Sequence, residues 1–181
     1  KNVVTANKAL VADNLLELQK LLAEHPEVDF GFEAAVGGGI PIIHTLQRDA
    51  APDQVTQISG IINGTTNFML SKMEKEGASY EDVLAEAQAL GFAEADPTAD
   101  VGGFDARAKI SILTKLAFGV DVDEEQILTK GITEITDTDF SYAQNFQATI
   151  KLLAIANKVN NKLESGLAHW NYGAYYSKKE K

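Results

Sequence analysis

The sequence predicts an α/β chain, and three observations predict it. Short β-branched runs alternate with helical stretches through residue 49, as at the end of an α/β layer. Turns bearing glycine or proline separate them. A later series of helices opens on polar caps and stops at glycines.

In chain order, "NVVTA" is a strand. "DNLLELQKLLAEHPE" carries leucines at 15, 16, 18, 21 and 22, the spacing of an amphipathic helix begun by Asp13 or Asn14 and stopped by Pro26. "VDFGFEAAV" is a strand, and "GGGIPIIHTLQRD" a glycine turn with Pro41 early in the next helix. "QVTQISGII" is a strand. "NGTTNFMLSKMEKEG" is a helix opening on a polar turn. "SYEDVLAEAQALG" is a helix with Ser79 as cap, Asp82 in the capping-box position and Gly91 as the stop. "FDARAKISILTKLAFG" is a long helix ending at Gly119, followed by short helices or turns in "DEEQILTKGIT" and "TDTDFSYAQNF". "ATIKLLAIANKVNNKLES" is expected to form a β-hairpin turning at Asn160-Asn161. The aromatic, then basic, tail "GLAHWNYGAYYSKKEK" reads either as an interface or as an irregular end.

Composition narrows the function. The 181 residues suffice for one domain or slightly more. No cysteine is present, which excludes disulfides and thiolate nucleophiles. The three histidines, His25, His44 and His169, lie far apart and give no zinc-site spacing. A net charge of −10 argues against nucleic acid or an anionic membrane as partner and leaves a small molecule or another protein. No apolar run reaches the ~20 residues that span a bilayer, so a cytoplasmic chain is expected.

The stretch "GFAEADPTADVGGFDARAK" concentrates the chemistry. It holds Glu94, Asp96, Asp100 and Asp105, a glycine pair, and Lys109 at its end. At ~100° per residue, Asp105, Lys109, Ile112 and Leu116 share one side of the long helix. Arg107, Ser111, Thr114 and Lys115 fall on the opposite arc, the expected solvent face. Two readings stand: an exposed acid–base pair of ~0.2–0.5 kcal/mol, or a lysine held in a cleft by Asp105 and able to exchange a proton. On the second, the remaining carboxylates suit a cationic group such as an ammonium. Two further spots carry paired readings. "AAVGGGIP" is a tight turn, or a set of carbonyls that bind a hard cation beside Glu33. "NGTTNF" caps a helix, or presents backbone to a ligand.

Together "VVTANKALVA", "FEAAVGGGIPII", "ISGIINGTTNFML", "GFAEADPTADVGGFDARAKISIL", "KGITEIT" and "IKLLAIANK" resemble the homoserine dehydrogenase family, in order from about Val3 to Lys158. The resemblance implies reduction of aspartate 4-semialdehyde to homoserine with NADPH or NADH, on the route to threonine and methionine. It implies an α+β substrate domain, a mixed β-sheet with helices packed on it, joined to the tail end of a Rossmann-like domain. Lys109 matches the catalytic lysine and Asp105 the carboxylate that binds substrate and orients it. Glu94 matches the substrate-binding glutamate, on the amino group. Asp100, Gly64 and Thr65 match further substrate contacts. Lys8 matches a lysine close to the nicotinamide, and Gly91 a cofactor contact. Glu33 with the carbonyls of Val36, Gly38 and Ile40 matches a sodium or similar monovalent-cation site. The resemblance further implies a homodimer built through the substrate domain.

No glycine-rich phosphate turn of the Rossmann type occurs in the sequence. Residues 1–30 are therefore expected to be the end of a dinucleotide-binding domain, 31–160 the substrate-binding, catalytic and dimerisation domain, and 161–181 an irregular tail. Such a piece is expected to bind the dinucleotide poorly and to turn over little alone. The alternatives are a non-catalytic dimerisation or binding module of the same fold, or another semialdehyde dehydrogenase. The lack of cysteine excludes one with a thiohemiacetal nucleophile.

Overall fold

The computed structural model describes residues 1–120 and 122–158. It is α/β, with seven α-helices and two two-stranded sheets among the described residues. These residues form two compact units. One comprises Lys1–Ile58, Arg107–Leu128 and residues 156–158; the other comprises Ser59–Ala106 and Thr129–Ile155.

In the first unit, β1 (Val3–Val4) and β2 (Phe30–Gly31) pair in parallel, Val3 opposite Phe30 and Val4 opposite Gly31. Helix α1 (Lys8–Glu24) connects them, which makes a βαβ unit. It buries Val11, Ala12 and Leu15 on one face. The helix starts well before the expected Asp13 or Asn14. Asn7 is the cap, its side chain accepting from the Leu10 amide at 3.0 Å. Asn14 lies inside the helix and donates to the Leu10 carbonyl. The expected strand over 28–36 also ends early, at Gly31. The amides of Ala35 and Val36 turn back to the carbonyls of Phe32 and Glu33, giving a 3₁₀ turn at Glu33–Ala35. After the glycine turn comes α2, a single turn at Ile42–His44 that widens into a π-type turn at Thr45–Asp49.

In the second unit, α3 (Gly64–Glu76) and α4 (Tyr80–Ala89) pack together through Met69, Leu70 and Met73 of one and Val83 and Ala87 of the other. Ser79 caps α4 as expected, accepting from the Asp82 amide at 3.1 Å. Lys72 ties the pair at the surface, with Glu86 and with Glu76. A short helix that the sequence did not suggest, α5 (Thr98–Val101), lies inside the acidic loop. Helix α7 (Asp137–Asn145) opens on a full capping box between Thr136 and Asp139. Ile132, Ile135 and Phe140 complete this core.

Helix α6 (Phe104–Phe118) begins in the second unit and continues in the first. Its expected solvent face is not one: Ser111, Thr114 and Lys115 are all buried. Two of them have protein acceptors that make burial tolerable. Ser111 donates to the Val122 carbonyl and Lys115 to the Ala12 carbonyl at 2.5 Å. Arg107, on the same arc, pairs with Glu124 at 3.6 Å. Strands β3 (Gln57–Gly60) and β4 (Ala154–Asn157) form the second sheet. The described arm of the expected hairpin thus pairs with a strand almost 100 residues upstream, and the side-chain carboxamide of Gln57 donates to Asn157 Oδ1, 100 residues away. The expected turn at Asn160-Asn161 and the tail lie outside the described residues.

Candidate active site

The acidic loop is a folded structure rather than a wet excursion. It leaves α4 through Gly91, whose φ of +77° is the left-handed conformation that glycine adopts without strain. The amides of Phe92 and Ala93 return to the Ala87 carbonyl at 2.8 and 3.1 Å. Gln88 donates to the carbonyls of Glu94 and Ala95, which holds the backbone there while the Glu94 side chain stays exposed. Asp96 caps the next turn through the Thr98 amide at 3.0 Å. Hydrogen bonds from the Thr98 side chain and backbone hold its carboxyl below the usual carboxylate range.

Asn63 organises the centre of this unit. It is the cap of α3, its Oδ1 accepting from the Thr66 amide and hydroxyl at 2.8 Å each. Its Nδ2 donates to Asp100 Oδ1 at 2.7 Å and to Asp105 Oδ2 at 3.0 Å. The amide orientation is decided by chemistry, because the Thr66 N–H can only face the oxygen. Both Asp100 and Asp105 are half-buried. Two carboxylates from α5 and α6 are thereby brought to one amide. The sequence offered "NGTTNF" as a helix cap or as backbone presented to a ligand, and gave no sign of a side chain that bridges two aspartates. Thr65, in the next position, donates to the Phe92 carbonyl at 2.6 Å and so ties the start of α3 to the loop. Gly64 is exposed at the first position of α3.

The glycine pair admits backbone. The Ile132 amide bonds to the Val101 carbonyl at 2.8 Å. A Cβ on Gly131 would lie 2.3 Å from that same carbonyl oxygen. A Cβ on Gly103 would meet Thr129 at 3.2 Å. The segment "KGIT" therefore lies flat against the turn between α5 and α6 and fixes the carboxylates it carries.

The remaining candidates belong to the first unit. Lys109 lies four residues beyond Asp105 on α6 and is half-buried. Lys8 is the first residue of α1 and half-buried. Glu33 does not simply offer charge to the glycine turn. Its two carboxylate oxygens accept from the amides of Ile43 and His44 at 2.9 and 2.8 Å, which caps α2. Gly37 and Gly38 have φ of +79° and +58°, and the Ile40 carbonyl accepts from the Ile42 amide at 2.8 Å. Among the described residues no three histidine, cysteine or carboxylate side chains cluster as metal ligands. No helix there is long and apolar enough to cross a membrane. A cleft of about 610 Å³ also opens in this unit, lined by Asp13, Arg107, Lys115, Asp123, Glu124 and Glu125 among others. Burial pushes the Glu124 carboxyl above its ordinary value, against the opposing pull of Arg107.

The family model for homoserine dehydrogenase matches residues 41–173. The homoserine dehydrogenase of Bacillus subtilis is 51% identical over 166 residues, which are 91% of this chain and 38% of that one. That of Corynebacterium glutamicum is 52% identical over 162 residues, 90% of this chain and 36% of that one. The structure of a homoserine dehydrogenase from Thiobacillus denitrificans superposes with a TM-score of 0.83 at 48% identity, covering 89% of this chain and 37% of that one. A hyperthermophilic archaeal homoserine dehydrogenase in complex with NADPH superposes at 0.74 with 32% identity, covering 87% and 45%. The chain thus spans less than two-fifths of the length of the curated relatives named here. On the family-model match and these identities over most of its length, the chain belongs to the homoserine dehydrogenase family.

Proposed function

We propose that this chain supplies the substrate-binding and proton-transferring part of an NAD(P)-dependent homoserine dehydrogenase. The reaction is reduction of L-aspartate 4-semialdehyde to L-homoserine, in threonine and methionine biosynthesis. The observation that carries the reading is the Asp100–Asn63–Asp105 cluster, with Lys109 one helical turn beyond Asp105.

Lys109 gives a proton to the substrate's carbonyl oxygen as that oxygen becomes alkoxide-like, and takes it back in the reverse direction. Asp105 orients that lysine and binds substrate. Glu94, exposed on a backbone held by Gln88, receives the amino group. Asp100, Gly64 and Thr65 complete the substrate contacts. The nicotinamide, NADP or NAD, supplies the hydride. Lys8 and Gly91 are the residues that would face it. Apart from its chain neighbours, no described side chain or backbone lies within 4 Å of where a Gly91 Cβ would be, which suits close approach of a ligand. A monovalent cation such as sodium fits the glycine turn, held by the carbonyls of Val36, Gly38 and Ile40. The amides of Ile43 and His44 hold Glu33 beside it. In this reading residues 1–30 end the dinucleotide-binding domain and 31–160 form the substrate and dimerisation domain of a cytoplasmic homodimer, with 161–181 as tail.

The test is a chimera in which residues 3–158 replace the matching stretch of the Bacillus subtilis relative. NADPH oxidation with aspartate 4-semialdehyde, followed at 340 nm, is expected in the chimera. It should fall roughly 10²–10⁴-fold with Lys109→Ala, the usual worth of a general acid. A folded chimera without turnover, or an undiminished Lys109→Ala variant, would overturn the assignment.

A further inference from the structure

The sequence sets one asparagine directly before a glycine, and that pair is Asn63–Gly64. Such a pair is chemically labile. The glycine amide nitrogen attacks the asparagine side-chain carbonyl carbon and closes a five-membered succinimide, and the carboxamide nitrogen leaves as ammonia with the amide proton. Water then opens the ring at either carbonyl and leaves an aspartyl or an isoaspartyl residue. One water is consumed, one ammonia is released, and nothing is oxidised or reduced. Glycine speeds closure because it brings no Cβ to hinder the approach.

The fold blocks each part of this reaction. Asn63 caps α3 with ψ of 117°, which turns the Gly64 nitrogen toward the Asn63 Cα hydrogen and away from Cβ. Ring closure needs that nitrogen to eclipse Cβ, and so large a rotation about the Cα–C bond undoes the first turn of α3. The carboxamide is also held at both ends. Its oxygen accepts from the Thr66 amide and hydroxyl at 2.8 Å each, and its nitrogen donates to Asp100 and Asp105 at 2.7 and 3.0 Å. At 4% exposure Asn63 is out of water as well. The glycine is not imposed by the backbone. Gly64 is not among the glycines with positive φ, and apart from its chain neighbours and the backbone of its own helix nothing described lies within 4 Å of a Cβ placed there.

We propose that Asn63–Gly64 is a fold-gated modification site with water as its reactant: deamidation is shut while the start of α3 is formed, runs when that start opens, and leaves a mark that prevents full re-closure. An aspartyl product has no N–H to give Asp100 or Asp105 and puts a third negative charge beside them. An isoaspartyl product moves a methylene into the backbone at the cap, where the Thr66 amide needs a side-chain acceptor. The inference uses the bonds and torsion of Asn63 alone and stands apart from the functional reading above.

The experiment uses the full 181-residue chain and the chimera. Each is incubated in neutral buffer and in urea. Deamidation at every asparagine is followed by peptide mass spectrometry, and opening of α3 by hydrogen exchange of the Thr66 amide. In urea, position 63 is expected to deamidate faster than every other asparagine, and several-fold more slowly in Gly64→Ala. In buffer the rate at position 63 is expected to be about 10²-fold or more below that in urea, because four hydrogen bonds are lost on opening. The ratio of the two rates should match the open fraction that Thr66 exchange reports. Asn63→Asp, the aspartyl product made genetically, is expected to exchange its Thr66 amide about tenfold or more faster than the native chain. Rates in buffer and urea that agree within a few-fold in both proteins, or deamidation in buffer far ahead of the open fraction, overturn the gate. An unslowed Gly64→Ala overturns the succinimide route, and native Thr66 exchange in Asn63→Asp overturns the mark.

Discussion

Lys109 and Arg would place the same charge at the same point of α6, but only lysine can serve as the donor. Guanidinium holds its proton far above neutral pH, whereas an amine can be tuned toward the working range. Lys109→Arg in the chimera is therefore expected to keep substrate affinity within a few-fold and to lose turnover about 10²-fold or more. A parallel rise in KM with kcat unchanged would show that the residue binds rather than reacts. How far such residues can be read before the fold is known differs among them. The loop's carboxylates and Lys109 stand in one 19-residue stretch and announce themselves as a charged cluster. Asn63 looks like an ordinary cap, because its other two bonds go to Asp100 and Asp105, which only tertiary structure delivers. Glu33 is the converse case. It carries charge beside a glycine turn, and nothing local shows that both its oxygens also accept from the amides of α2.

At the scale of elements, helix positions were legible where local chemistry sets them. Ser79 caps α4 and Gly119 ends α6 with φ of +67°, both visible as residue types at the right spacing. The inner surface of α6 was not legible, because helical periodicity assumes one wet face. Ser111, Thr114 and Lys115 are polar yet buried, and carbonyls from α1 and the following loop meet the donors of Lys115 and Ser111. The same limit hid the contact between "KGIT" and the turn before α6. Gly131→Ala forces a Cβ to 2.3 Å from the Val101 carbonyl oxygen, so backbone has to move. We expect a loss of about 1–3 kcal/mol or more in urea unfolding. In the chimera it should weaken substrate binding too, because the displaced turn carries Asp100 and Asp105. Unchanged stability would mean that this packing is loose. Acid should act on elements through their caps. Hydrogen bonds to Thr98 and Thr136 hold Asp96 and Asp139 below the ordinary 3.8, those of Asp139 coming first from the Thr136 backbone. Groups with depressed folded values contribute stability above their unfolded values and lose it as pH falls through the folded ones. Thermal unfolding is expected to show a decline below about pH 4 that is smaller in Asp139→Asn.

For the whole molecule, the α/β class and family membership followed from patterns spread over most of the chain, while strand partners did not. β3 and β4 pair although Gln57 and Asn157 stand 100 residues apart, and no local signal records a partner that far away. The nucleotide-binding part poses the sharpest question at this scale. A dinucleotide's pyrophosphate is ordinarily seated on a glycine-rich turn at a helix N-terminus. The helix after β1 instead opens with Asn7 and Lys8, and Asn7 already spends its side chain on the Leu10 amide. One lysine at that end meets a chain whose net charge is −10, a field that repels a polyanion. The 181-residue chain is accordingly expected to show no saturable NADPH binding below about 1 mM, the top of the usual KM range. The chimera should saturate well below it. Quenching of the single tryptophan, Trp170, or of the cofactor's own fluorescence would follow both titrations. Tight binding by the isolated chain would mean that Lys8 and the loop at Gly91 hold the nicotinamide end strongly enough to do without a phosphate cradle, and the division of labour between the two parts of the enzyme would have to be redrawn.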